Sequence, residues 1–177
     1  MSGHNKWSKI KHKKAGTDAA KSKIFSKMAK LIATASREAK GDVNSPVLRT
    51  AIDKAKSYNM PSDNIDRAVK KGLGVGEEQL ERITYESYGP GGSALIIEAL
   101  TSNRNKAAQE VKHILSKNGF ELARPGSASW AFSKTESMEW EPTSEVPLSE
   151  SEEEVLENLI NELEDNDEVQ SVYTNAA

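Results

Sequence analysis

Residues 83–101 read ITYESYGPGGSALIIEALT, and the fold class turns on whether this stretch is helix or strand. On either side of Gly89-Pro90-Gly91-Gly92 it is rich in β-branched and aromatic residues, the pattern of two strands joined as a hairpin. The second limb is apolar at three consecutive positions, Leu95, Ile96 and Ile97. Both of its faces therefore need cover, which places it in the interior of a sheet.

Working towards the C-terminus, residues 104–118 return to helical spacing, with Ala107, Ala108, Val111, Ile114 and Leu115 as the inward stripe. SASWAFS (127–133) alternates, which predicts a strand carrying Ala128, Trp130 and Phe132 on one face. The acidic run KTESMEWEPTSEVPLSE (134–150) has no period and reads as a connector. A last helix with Val155, Leu156, Leu159, Ile160 and Leu163 inward precedes a closing strand, DEVQSVYTN (167–175). The order β-β-α-β-α-β predicts an α+β sandwich domain: an antiparallel or mixed sheet with helices on one face.

Towards the N-terminus the pattern is helical. Thr17-Asp18 is an N-cap pair, after which Ile24, Met28, Leu31 and Ala35 share one face. Lys23, Lys27, Lys30 and Arg37 are assigned to the opposite face. Ser45-Pro46 opens a second helix, NMPSDN (59–64) breaks it, and a third helix stops at Gly72. The expected organisation is a flexible basic arm (1–17), a basic three-helix bundle (18–74) and the α+β domain (75–177), whose acidic connector spans 135–148.

Charge is segregated along the 177 residues. Residues 1–72 hold 17 Lys and Arg against 6 Asp and Glu, a net +11; residues 135–177 hold 14 acids and no Lys or Arg. The overall net charge of −3 hides this polarity, which calls for an electrostatic partner at the basic end. Lys6, Lys9, Lys11, Lys13 and Lys14 are uninterrupted by any acid, and Lys21, Lys23, Lys27 and Lys30 follow with Asp18 as their one acid. Lysines at that density neutralise phosphates and release counterions, so the partner they fit is a nucleic acid. Trp7 lies among them, where it either stacks on an unpaired base or anchors the arm on a helix. Phosphate binding alone does not separate RNA from DNA.

Catalysis finds no support. With no cysteine, disulfides and thiolate chemistry are excluded, and His4, His12 and His113 have no acid at a useful spacing for a triad or a zinc site. GPGGS lacks the Gly-Lys-Ser/Thr ending of a phosphate loop, and LEDNDE (163–168) lacks the glycine and distal glutamate of an EF-hand. No cofactor or metal is expected. No apolar run reaches membrane-spanning length and the N-terminus has no signal-peptide core, so a cytoplasmic protein without a membrane partner is expected.

Several stretches together resemble the YebC family of bacteria, whose mitochondrial relatives are translational activators. These are SGHNKWSKIKHKKAGTDAAKSKIFSKMAK (2–30), AIDKAKSYNMPSDNIDRAVKKG (51–72), YESYGPGGSALIIEALTSNRNKAAQEVKHILSKNGFE (85–121), GSASWAF (126–132) and LEDNDEVQSVYTN (163–175). The resemblance implies a non-enzymatic protein of gene expression, either a ribosome-associated translation factor or a DNA-binding transcriptional regulator. It also implies a third domain inserted within the second. Here a short acidic connector stands in that place, so the chain reads as a short form. By the same resemblance the nucleic-acid contacts are Lys6, Trp7, Lys9, Lys11, Lys13, Lys14, Lys21, Lys23, Lys27 and Lys30. The favoured partner is ribosomal RNA, with duplex DNA as the alternative. An adaptor role, with the α+β domain binding a protein, is the reading from a different class.

Overall fold

A computed structural model describes residues 16–76 and 78–177, which fall into two compact units that divide between Leu80 and Glu81. The first is helical: α1 (Asp18–Glu38), α2 (Pro46–Ser57) and α3 (Ser62–Gly72). Met28, Ile32 and Ala35 of α1 close over Leu48, Ala51 and Ala55 of α2 and over Ile65 and Ala68 of α3. Thr17 caps α1, its hydroxyl accepting the Ala20 N–H at 3.2 Å. Ser45 precedes Pro46 as expected, but its side chain makes no capping bond. α2 ends in a Schellman motif: Asn59 takes the left-handed conformation (φ 61), and the Met60 and Asn59 N–H groups return to the Ala55 and Lys56 carbonyls.

Gly72, read in the sequence as a helix stop, is the last residue of α3. A Cβ there would stand 2.3 Å from the Ala33 carbonyl oxygen of α1, so its absence is what lets the two helices touch. Ser36 of α1 tightens the same seam, donating to the Val69 carbonyl at 2.8 Å.

The second unit is α+β. Strands β1 (Glu81–Tyr88) and β2 (Ala94–Thr101) form the expected antiparallel hairpin, closed by a 3-10 turn at Pro90–Gly92. The sheet continues outward to β3 (Leu122–Ala123) beside β1 and β6 (Val169–Thr174) beside β2, in the order β3-β1-β2-β6. β2 is central, as its unbroken apolar run requires: Leu95 and Ile97 face one side, Ala94 and Ile96 the other. Helices α4 (Arg104–Lys117) and α5 (Glu150–Asp165) cover the first side through Val111, Leu115, Leu156, Leu159 and Leu163. α5 starts with a capping box between Ser149 and Glu152. Val155, expected to face inward, is exposed, because the buried stripe of α5 runs through Leu156, Leu159, Ile160 and Leu163.

The second side of the sheet departs from expectation. No strand runs through Ala128–Phe132. Ser129–Ala131 is a 3-10 turn, and only Phe132–Lys134 (β4) is extended, pairing with β5 (Trp140–Pro142) in a separate hairpin. The predicted connector thus contains a strand. A 3-10 turn repeats every three residues rather than two. Ala128 and Ala131 therefore point to the core with Phe132, and Trp130 is left 65% exposed.

Candidate nucleic-acid interface

Six of the expected contacts, Lys6, Trp7, Lys9, Lys11, Lys13 and Lys14, lie outside the described residues. The other four lie on α1, but not on one face. Lys23 and Lys30 are seven residues apart, about two turns, and share a half-buried flank. Lys21 is also seven residues before Met28, on the phase of the apolar stripe; it is exposed near the helix start. Lys27 is buried, at 8% exposure, where the sequence had placed it on the solvent side. It directly precedes Met28 and stands one turn before Leu31, which puts its position at the margin of the apolar face rather than opposite it.

Other cations of the helical unit are at least as open as these. Arg49 and Lys56 of α2, and Arg67, Lys70 and Lys71 of α3, are exposed. Acids interrupt these in the sequence: Asp53 lies between Arg49 and Lys56, and Asp63 and Asp66 precede Arg67, so density of lysine along the sequence does not single them out. α3 is poorly suited to reading bases as the second helix of a helix-turn-helix. Such helices use their N-terminal residues, and here Asp63 occupies the first turn and Asp66 the next, both exposed.

In the α+β unit, a loop between β3 and β4 carries a second group of exposed polar and aromatic residues. Arg124-Pro125-Gly126-Ser127 is a turn closed by the Ser127 N–H on the Arg124 carbonyl at 3.0 Å, with Gly126 at φ 88 as its third residue requires. The loop is pinned by Glu86, a buried residue of β1. Its carboxylate accepts the N–H groups of Gly126 (2.5 Å), Ser129 (2.6 Å) and Ala128 (3.0 Å). Burial pushes the Glu86 carboxyl up, but these three donors, together with a hydrogen bond from the Ser129 side chain, outweigh burial and hold it below its ordinary value. Beyond the turn, Trp130 Nε1 donates to Tyr88 Oη at 3.0 Å, and Tyr88 Oη donates in turn to the Ser127 carbonyl. Sequence reasoning missed this arrangement because it counted Trp130 as core; the Pro-Gly turn just before it was the available signal.

The C-terminal acids are partly spoken for. Glu162 pairs with Lys117 and Glu168 with Lys106, each at 3.2 Å. The hydrogen bond that Lys106 donates to Glu168 raises its amine above the ordinary value. Among the described residues, no group of three or more His, Asp or Glu is placed to hold a metal ion. No helix among them is long and apolar enough to cross a membrane.

Comparison with known proteins now decides the family. Residues 5–75 match a model described as the TACO1/YebC protein N-terminal domain, and residues 80–139 and 134–176 match one described as the TACO1/YebC second and third domain. The chain belongs to the TACO1/YebC family. The two segments of the second match overlap at 134–139, within the β4–β5 hairpin. A relative from Fervidobacterium nodosum is 52% identical over 141 residues, covering 78% of this chain and 56% of the relative. One from Desulfosudis oleivorans is 44% identical across 100% of this chain and 78% of the relative. Both are named "probable transcriptional regulatory protein". The chain spans about half the length of the Fervidobacterium relative and of one from Petrotoga mobilis, at 56% and 54%. A crystal structure of a conserved hypothetical protein from Aquifex aeolicus superposes with a TM-score of 0.82 at 31% identity, over 98% of this YebC-family chain and 97% of that one.

Proposed function

We propose that this chain is a non-enzymatic, nucleic-acid-binding regulator of gene expression that docks on ribosomal RNA through its basic N-terminal arm and helical unit. The observation that carries the reading is the segregation of charge, +11 over residues 1–72 against 14 acids and no Lys or Arg over 135–177. Membership of a family with relatives named as transcriptional regulators supports a role in gene expression. RNA is favoured over duplex DNA by two features. A lysine-dense arm suits the irregular phosphate surface of folded RNA, and the exposed acids Asp63 and Asp66 at the start of α3 disfavour a base-reading helix. Duplex DNA is the second reading, and the relatives' names favour it.

In this reading the protein works in the cytoplasm without a membrane partner. The α+β unit serves as scaffold, and the β4–β5 hairpin stands where longer relatives carry their additional domain. Binding to purified ribosomes and to duplex DNA, measured at matched salt, tests the proposal. Tighter binding to ribosomes is expected. Equal affinities governed only by salt concentration overturn the preference for RNA, and binding to neither overturns the function.

A further inference from the structure

Trp130 is 65% exposed although its one polar atom is already satisfied by Tyr88. An indole with its N–H paired has no reason to face water, and the ring is held there by structure on several sides. Tyr88 is tied to the Ser127 carbonyl, and the loop that carries both Ser127 and Trp130 is fastened to the buried Glu86 by three backbone N–H groups. The ring is therefore oriented before any ligand arrives, which lowers the entropy cost of binding.

The surroundings say what it suits. From Arg124 to Lys134 the chain carries two cations and no acid, immediately before a segment that carries 14 acids and no Lys or Arg. Arg124 is exposed on the same loop. The large apolar side chains exposed on β1 and on this loop are Tyr88 and Trp130, two rings that fall far short of the about 1,200 Å² that a stable protein interface buries. Lys134 is engaged elsewhere, its Nζ 4.7 Å from the centre of the Trp140 ring, which leaves Arg124 as the cation on the loop of Trp130. An exposed flat ring on a loop that carries an exposed cation is, by contrast, sufficient to hold one nucleotide: the face stacks on a base and the cation meets its phosphate.

We propose that Trp130, oriented by Tyr88 on a loop that also carries Arg124, is a stacking platform for an unpaired base of single-stranded RNA. The inference rests on the nucleic-acid reading above and adds to it a contact site in the α+β unit. A duplex keeps its bases stacked on each other, so the platform distinguishes single-stranded from paired RNA.

The test compares the full chain with Trp130→Ala and Trp130→Leu, the latter keeping apolar bulk without a flat ring. Binding is measured to a short single-stranded RNA, to the same RNA annealed to its complement, and to a single-stranded DNA of the same sequence. Both variants are expected to lose about fivefold to a hundredfold in affinity for the single-stranded RNA. Duplex affinity and the salt slope are expected to stay unchanged, since no phosphate contact is removed. Trp130→Phe, which retains an aromatic face, keeps most of the affinity. If the chain binds RNA and the variants bind the single strand as tightly as wild type, the platform is overturned while the functional proposal stands. An equal loss on duplex, a loss confined to DNA, or a wild-type dimer abolished by Trp130→Ala overturns it too. If wild type binds no RNA, both fall together.

Discussion

Glu86 is a buried carboxylate whose partners come from one loop: the backbone N–H groups of Gly126, Ala128 and Ser129, with the Ser129 side chain beside them. Since these bonds hold its folded pKa below the ordinary value, the ionised form stabilises the fold at neutral pH. That contribution is fully present above the unfolded-state pKa and is lost as pH falls through the depressed folded value. Glu86→Gln is expected to destabilise the α+β unit by about 1–3 kcal/mol at neutral pH, since it removes charge from three hydrogen bonds. In urea titrations across pH, the gap to wild type should narrow as the solution is acidified below the usual glutamate range. A gap constant with pH would show that shape, not ionisation, holds the loop. Nothing in the run YESYG singles out Glu86, because its donors lie about 40 residues further along the chain.

At the scale of the element, local chemistry was legible wherever it completed itself within a few residues. Thr17 at α1 and the all-apolar run of β2 are each short-range signals, and each forms the element expected from it. The stretch SASWAFS was misread because its residue types alternate as a strand's do, whereas the 3-10 turn buries Ala128 and Ala131, three apart, and turns Trp130 outward; the Glu86 bonds that fasten this turn come from a distant strand. α3 ends at Gly72 as expected, yet the need for glycine there comes from α1 across the seam, which the sequence does not show. Gly72→Ala should therefore lower the stability of the helical unit by about 1–3 kcal/mol as the helices are pushed apart. A helix-propensity account predicts the opposite sign, since alanine is the better helix former. Thermal melting of the variant decides between them.

For the whole molecule, the charge distribution makes the largest claim. If the arm engages phosphates, replacing Lys6, Lys9, Lys11, Lys13 and Lys14 with glutamine should reduce the slope of log affinity against log salt by up to about four, with affinity falling at low salt. A slope that does not change would move the interface elsewhere, for example to the exposed Arg49, Lys56, Lys70 and Lys71. The acidic C-terminal segment is no detachable tail. It supplies Leu156, Leu159, Leu163, Val169 and Val172 to the main core, so its charge is best tested by neutralising exposed glutamates rather than by truncation.

The sequence by itself determined the helical N-terminal elements, the central hairpin, the α+β class and the separation of positive from negative charge, because each is set by neighbouring residues or by composition. Only the tertiary structure decided that Lys27 is buried, that Gly72 is a contact point between helices and that Trp130 faces outward beside Tyr88. Those outcomes depend on atoms brought together from distant parts of the chain, and spacing along a sequence carries no record of which distant atoms will meet.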